Sequence, residues 1–270
     1  MPVGNITRGT TNANRLRRVD RWIQTWPALR TTSDPLVIDL GYGASAATPV
    51  ELATRLRKTR ADVELLGLEI DPERVTTAKE ELSRWQKEHL ITAEQAKDIS
   101  FARGGFEVST PQNRKPVVIR AFNVLRQYDE TDVQAAWDMM VSRLQPGGVL
   151  VEGTCDEIGR ISSWIAVTED GPQTLSIALK LDTLEVPSIV AERLPKALIH
   201  HNVPGERIHD FLTALDKQWL THAPLGSFGA TQRWIATAQG MKDAGWPIAG
   251  NKSRWRLGEI TVAYEAVKAN

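Results

Sequence analysis

The sequence predicts a doubly wound α/β fold: a mostly parallel sheet with helices on both faces, an N-terminal helix and a helical insert near the C-terminus. Three observations lead there. From Leu36 to Val151, short apolar runs alternate with stretches of helical periodicity, the pattern of parallel strands joined by crossover helices. The first run ends in Asp39-Leu40-Gly41-Tyr42-Gly43, a glycine turn ahead of a helix start. The second ends in an acid, Glu69. A glycine turn on one strand end and an acid on the next make a site for a nucleoside-bearing cofactor.

In chain order, residues 1–13 read as a loosely held arm without periodicity. Asn14–Trp26 places Leu16, Val19, Trp22, Ile23 and Trp26 on a helical stripe, with Arg15, Arg17, Arg18 and Arg21 between them. Those arginines form either a solvated face or a lid that meets an anionic substrate, with Arg15 and Arg18 as candidate substrate ligands. Residues 1–30 are therefore assigned as arm and docking helix. Leu36-Val37-Ile38 is a buried strand. Thr48-Pro49-Val50-Glu51 predicts a helix with Thr48 as its cap and Glu51 closing a capping box. Val63–Ile70 is the second strand, Asp71-Pro72 opens a helix to about His89, and Ile99-Ser100-Phe101 is the third strand. Pro116–Phe122 is the fourth strand, a helix follows with Val133, Trp137 and Met140 inward, and Val149–Val151 begins the fifth.

The pattern then changes. Two strand-like runs flank Glu169-Asp170-Gly171, a hairpin signal. Helical stretches follow around Pro187–His200, Glu206–Trp219 and Thr231–Lys242, and Arg256–Val267 alternates like a closing strand. The expected organisation is a core over residues 31–185, a helical cap over 186–255 and a closing strand over 256–270.

Bulk properties set bounds. Lys+Arg and Asp+Glu are both 33, so net charge gives no pull toward nucleic acid or membrane. The single cysteine, Cys155, excludes an intrachain disulfide framework and suits a reducing compartment. No run is long enough to span a membrane and no signal-peptide core leads the sequence, so a cytoplasmic protein is expected. His200, His201, His209 and His222 match no metal-ligand spacing, and no metal is expected. The nine tryptophans are assigned to packing.

The glycine turn discriminates among cofactors. A dinucleotide fold needs Gly-x-Gly-x-x-Gly to bring a helix against a pyrophosphate, but here the run is Gly41-Tyr42-Gly43-Ala44-Ser45-Ala46. No Gly-Lys-Ser/Thr follows, which excludes a Walker-type loop. Close backbone approach without a pyrophosphate cradle suits a nucleoside joined to an amino acid. At this point the sequence resembles the class I S-adenosylmethionine-dependent methyltransferases, through Val37–Gly43, Leu66–Pro72 and Arg143–Leu150 taken in order. The resemblance implies a Rossmann-like sheet of five parallel strands followed by a hairpin with an antiparallel strand. It also implies S-adenosylmethionine as cofactor and S-adenosylhomocysteine as product. It puts Asp39, Gly41, Tyr42 and Gly43 near the methionine end, Glu69 on the ribose hydroxyls and Ile70 beside them. In the family an acid often follows glycine after the third strand and reaches the adenine amino group. Here Gly104-Gly105-Phe106 stands at that place, which leaves adenine to backbone at Gly105 and to packing by Phe106.

Methyl transfer from a sulfonium draws on proximity and alignment, with a general base needed only for a protonated nucleophile. The acceptor should meet the ends of strands four and five, where Asn123, Arg126 and Tyr128, then Glu152 and Cys155, are candidates. Asn123 and Tyr128 are the expected catalytic residues, with Asn123 also touching cofactor and Arg126 the substrate. The spacing of Asn123 and Tyr128 does not fit the base-modifying Asp/Asn-Pro-Pro-Tyr motif. Acidic neighbours argue against Cys155 as nucleophile. The favoured acceptor is a small or medium-sized metabolite, anionic if the arginines meet it. RNA is the alternative, and a binding protein that kept the fold without transfer is a third reading.

Overall fold

The computed structural model describes residues 2–9 and 12–270; Met1, Thr10 and Thr11, part of the expected arm, lie outside the described residues. Five apolar runs form parallel strands: β1 (Leu36–Leu40), β2 (Glu64–Glu69), β3 (Ile99–Arg103), β4 (Val118–Phe122) and β5 (Val149–Cys155). They pair side by side in the order β3-β2-β1-β4-β5. β1, β4 and β5 are buried throughout, as strands covered on both faces must be. The chain then turns back. β6 (Ile161–Thr168) and β7 (Gly171–Leu179) form the expected hairpin, with Gly171 at φ +88° in the turn. A two-residue β8 (Ile248–Ala249), which the sequence did not signal, and β9 (Glu259–Ala263) complete a nine-stranded sheet in the order β3-β2-β1-β4-β5-β6-β7-β9-β8.

Successive strand residues face opposite layers. Val37, Val118, Val149 and Val151 meet α1 (Arg17–Ile23), α2 (Pro27–Thr31) and α3 (Ala47–Leu56) in one core. Near the β3 edge, α4 (Pro72–Lys87) packs Val75 and Ala78 against Tyr42 and Phe101. The short α5 (Ala93–Ala96) follows, started by a capping box of Thr92 and Gln95. Leu36, Ile38, Ile119 and Leu150 face the other way, toward α6 (Val133–Val141).

The capping expectation at Thr48 needs correction. α3 starts two residues earlier, with Ala46 at the cap position, and the Thr48 hydroxyl donates to Asp39 instead (3.3 Å). The helix start is held from outside by Glu81 of α4, which accepts from the Ala46 N–H and the Ser45 hydroxyl (2.9 and 2.8 Å). A carboxylate there suits the positive end of the helix.

The insert expected as a cap is mainly a layer on the sheet. After α7 (Lys196–Ile199), α8 (Arg207–Thr221) and α9 (Ala230–Asp243) share one core with Ile165, Ile177 and Ile260 of β6, β7 and β9. The Trp234 indole N–H donates to the Glu259 carbonyl (3.1 Å), tying α9 to β9, and α10 (Lys252–Trp255) follows. Phe211, Leu215 and Trp234 are fully buried, so the apolar sides of these helices have the sheet as their partner. Only the stretch before α8 reaches the carboxyl rim, where the hydroxyls of Thr154 and Ser163 donate to the Arg193 carbonyl. Among the described residues no helix is long and apolar enough to cross a membrane.

Candidate functional site at the carboxyl rim

Because β3, β2, β1 and β4 are parallel neighbours, their carboxyl ends and following loops converge on one rim. Gly41 takes φ +69° and donates to the Leu68 carbonyl (2.7 Å); a Cβ there would fall 2.5 Å from Val124 Cγ2. Gly43, at φ +89°, donates its N–H to Glu69 Oε2 (3.1 Å). The acid at the end of β2 is thus joined to the glycine turn at the end of β1. Glu69 is 2% exposed, its other oxygen accepting from the N–H groups of Ile70 and Asp71 and lying 3.8 Å from Arg74. A carboxylate has about four acceptor positions, so Glu69 retains capacity for further donors. The Tyr42 side chain turns inward against Phe101, ring centroids 5.2 Å apart, leaving its backbone at the turn. Burial, with Glu69 and Asp39 nearby, raises its phenol well above the usual range.

After β3 the structure supplies a residue the sequence reading passed over. Glu107, three residues beyond Gly104, turns its carboxylate back to accept from the Gly105 N–H (3.0 Å) and from Val3 N–H (2.7 Å). The Phe106 N–H donates to the Val3 carbonyl (2.9 Å). An acid does follow the glycines, displaced by Phe106; the available signal was its position just beyond a glycine pair.

Asp39 is bound inward. Arg120, in the middle of β4, donates from Nε to Asp39 Oδ1 (2.9 Å) and from Nη2 to Oδ2 (2.5 Å), and also bonds Asp20 of α1. Asp20 in turn pairs with Arg55 of α3 (2.5 Å). Burial raises the Asp39 carboxyl above its ordinary value against the pull of Arg120, and the two carboxylates hold Arg120 charged. Asp39 therefore orders the backbone beneath the glycine turn, its carboxylate committed to Arg120.

The remaining candidates divide. Asn123 adopts φ +59°, and its side chain bridges to β5, accepting from Cys155 N–H (3.1 Å) and donating to Cys155 Sγ (3.4 Å). Asparagine tolerates that conformation better than most residues. Arg15 donates to Cys155 Sγ (3.2 Å) and lines the recess at the glycine turn with Asp39, Gly43 and Asn123. Arg18 is directed elsewhere. It donates to the carbonyls of Gly159 and Leu257 (3.1 and 3.0 Å), and burial lowers its guanidinium to about 10. Arg126 reaches the Glu192 carbonyl (2.7 Å), bracing the loop after β4 against the segment before α7. Arg18 and Arg126, the expected substrate ligands, thus both have backbone partners within the chain. Tyr128 packs at a tilt against Phe106 (ring centroids 5.1 Å apart) and exchanges hydrogen bonds with Asn5, accepting from its N–H and donating to its carbonyl (3.2 Å).

Glu152, an acceptor-side candidate from sequence, points into the core beneath α6 instead of toward the rim. It is fully buried, and neither carboxylate oxygen has a hydrogen-bond partner among the described residues. Burial, against a smaller pull from the nearby Trp137 indole, pushes its carboxyl up from 4.5 to about 8, which favours the protonated form in the fold at pH 7. The folded state then keeps a proton that the unfolded chain releases above pH 4.5, and stability falls as pH rises from there through about 8. Glu152→Gln should match the parent at pH 5 and exceed it by about 2–4 kcal/mol at pH 8.5. Urea midpoints at the two pH values check this; an equal offset at both would refute it.

No protein-family model and no curated protein matches the chain. Solved structures do. The glycopeptide N-methyltransferase MtfA with S-adenosylmethionine is 15% identical, over 54% of this chain and 57% of that one, with a TM-score of 0.36. The N-methyltransferase NodS from Bradyrhizobium japonicum WM9 is 22% identical over 52% and 66%, with 0.33. Human N-acetylserotonin methyltransferase is 24% identical over 52% and 35%, with 0.34. The chain thus spans little more than half the length of the first of these, and less than two thirds of each. Scores this low carry no argument of their own. The deciding observation is the strand order, β3-β2-β1-β4-β5 followed by an antiparallel strand where a dinucleotide fold adds another parallel one. The fold is Rossmann-like, a doubly wound parallel sheet continued by antiparallel strands.

Proposed function

We propose that the chain is an S-adenosylmethionine-dependent methyltransferase acting on a small or medium-sized metabolite. The observation that carries this reading is the Gly43 N–H to Glu69 hydrogen bond, which sets a ribose-reading carboxylate against a glycine turn with no pyrophosphate cradle. The rim residues fit the cofactor. Glu69 would hold the ribose hydroxyls, Glu107 and the Phe106 N–H the adenine edge, Ile70 and the Phe106 ring its faces, and the backbone at Gly41–Gly43 the amino-acid end. When bound, the cofactor supplies a methyl group on a sulfonium, and alignment of the acceptor is the protein's main task. Asn123 and Tyr128, on the loop after β4, are the proposed acceptor-side residues, and Arg15, which lines the recess, is the proposed ligand of an anionic group.

The basic helix supports a metabolite over RNA. Arg17 and Arg18 spend their donors on the carbonyls of Asn14, Ile158, Gly159 and Leu257, so they do not form a free phosphate-binding stripe. A second reading, binding without transfer, is favoured by one fact: the polar groups of Asn123 and Tyr128 are engaged within the chain. Calorimetry with S-adenosylhomocysteine and with NAD tests the cofactor. The first should bind with a dissociation constant of ~10 μM or tighter and the second should not; the reverse, or no binding of either, overturns the proposal. Label transfer from S-adenosylmethionine into a small-molecule extract then separates enzyme from binder.

A further inference from the structure

We propose that residues 2–9 are a built-in competitor for the adenosyl pocket, lying in the slot that the cofactor needs and leaving when it binds. The inference rests on the cofactor reading above. An adenine edge presents an amino N–H beside a ring-nitrogen acceptor. The Val3 peptide presents the same pair to the same partners: its N–H to Glu107 Oε2 (2.7 Å) and its carbonyl to the Phe106 N–H (2.9 Å). Backbone meets backbone so closely that a Cβ on Gly105 would sit 2.0 Å from the Val3 oxygen. The next residue enters the slot between the second and third loops. A Cβ on Gly4 would lie 3.7 Å from Ile70 Cδ1, 3.6 Å from the Phe106 ring and 2.9 Å from Tyr128 Oη.

The arm then crosses the rest of the rim. Asn5 occupies the Tyr128 hydroxyl, Arg8 N–H donates to Gln127 Oε1 (2.8 Å), and Arg74, the partner of Glu69, donates to the Thr7 carbonyl (2.8 Å). Finally Ala44 N–H, beside the glycine turn, donates to the Gly9 carbonyl (3.1 Å). One short segment thus touches the loops after β1, β2, β3 and β4. The recess left at the turn has a volume of about 30 Å³, against the ~300 Å³ or more of a small-molecule site. The arm is also built to leave. It is held by hydrogen bonds, while its own apolar side chains stay out of the core: Val3 is 40% and Ile6 61% exposed. Little apolar surface is lost to water on release.

Hydrogen exchange on the full chain, with and without saturating S-adenosylhomocysteine, tests this. The amides of Val3, Asn5 and Arg8 should lose protection when the ligand is added, while those of Gly43 and Phe106 keep or gain it. Gly4→Val, strained at φ +130° and colliding with Tyr128, should free the arm amides without ligand and tighten S-adenosylhomocysteine about tenfold. A chain lacking residues 1–9 should show the same tightening, and a peptide of those residues should reverse it. Arm amides that stay protected with ligand bound, or weaker binding by both arm variants, would overturn the proposal and make the arm a lid over the cofactor. Equal binding by all forms would show that it does not compete. If no form binds S-adenosylhomocysteine, the cofactor reading itself falls, and this inference with it.

Discussion

Replacing Arg120 with methionine is expected to lower the stability of the fold by about 3–5 kcal/mol, the largest effect of any single change proposed for this chain. Arg120 is fully buried between two buried carboxylates, Asp39 under the glycine turn and Asp20 on α1. Among the described residues, removing it leaves Asp39 the Thr48 hydroxyl and Asp20 the Arg55 guanidinium. The cost comes from stranding charge, not from losing an attractive pair, because a buried pair barely recovers its own desolvation. Adding Asp39→Asn to Arg120→Met should therefore recover part of the loss, a non-additivity expected of groups in one network. Denaturant midpoints of the single and double variants check both statements. A loss below about 1 kcal/mol for Arg120→Met would mean that water or another cation reaches Asp39.

Glu69→Ala is expected to weaken S-adenosylhomocysteine binding about 100-fold with the fold intact. Hydrogen bonds to a charged group contribute about 1.5–3 kcal/mol each, and two ribose hydroxyls would be orphaned; part of that is offset by water entering the space. The substitution also frees the Gly43 N–H, loosening the turn that must approach the ligand. Glu69→Gln keeps an acceptor for Gly43 but loses the charge, and should fall between, near tenfold. Calorimetry gives the constants, and far-UV circular dichroism confirms folding. Binding by Glu69→Ala as tight as the parent's would remove Glu69 from the ribose.

Most strands were legible because a buried parallel strand is a short apolar run, and the chain has five of them in βα alternation. The antiparallel hairpin was legible from Asp170-Gly171. What escaped depends on contacts distant in sequence. Arg120 is a single charge within an apolar strand, and its partner Asp20 is 100 residues away. Thr48 had the local signature of a cap, but a carboxylate on the neighbouring strand won its hydroxyl, and Glu81 of α4 took over the helix start. The insert was legible as helical stretches, yet periodicity cannot say which surface a helix meets. The arm has no periodicity at all, because it is held by backbone hydrogen bonds, which leave little mark on side-chain pattern. Its glycines at 4 and 9 were the only trace. A Cβ on Gly9 would sit 2.7 Å from the Arg74 guanidinium carbon.

The ion cluster also fixes where the arm is tied. Asp20 on α1 is locked to Arg120 and Arg55, so the arm leads into a fixed helix that begins at Arg17, eight residues after Gly9. A segment tethered this short has an effective local concentration in the millimolar range. On the proposed competition, dilution would leave its occupancy unchanged, because arm and pocket belong to one molecule. A cofactor at cellular abundance would face a fixed opponent, and its apparent affinity would be scaled by the fraction of molecules with the arm undocked. Loosening that helix would alter that fraction without touching a rim residue, so stability in the buried cluster and sensitivity at the rim are coupled quantities.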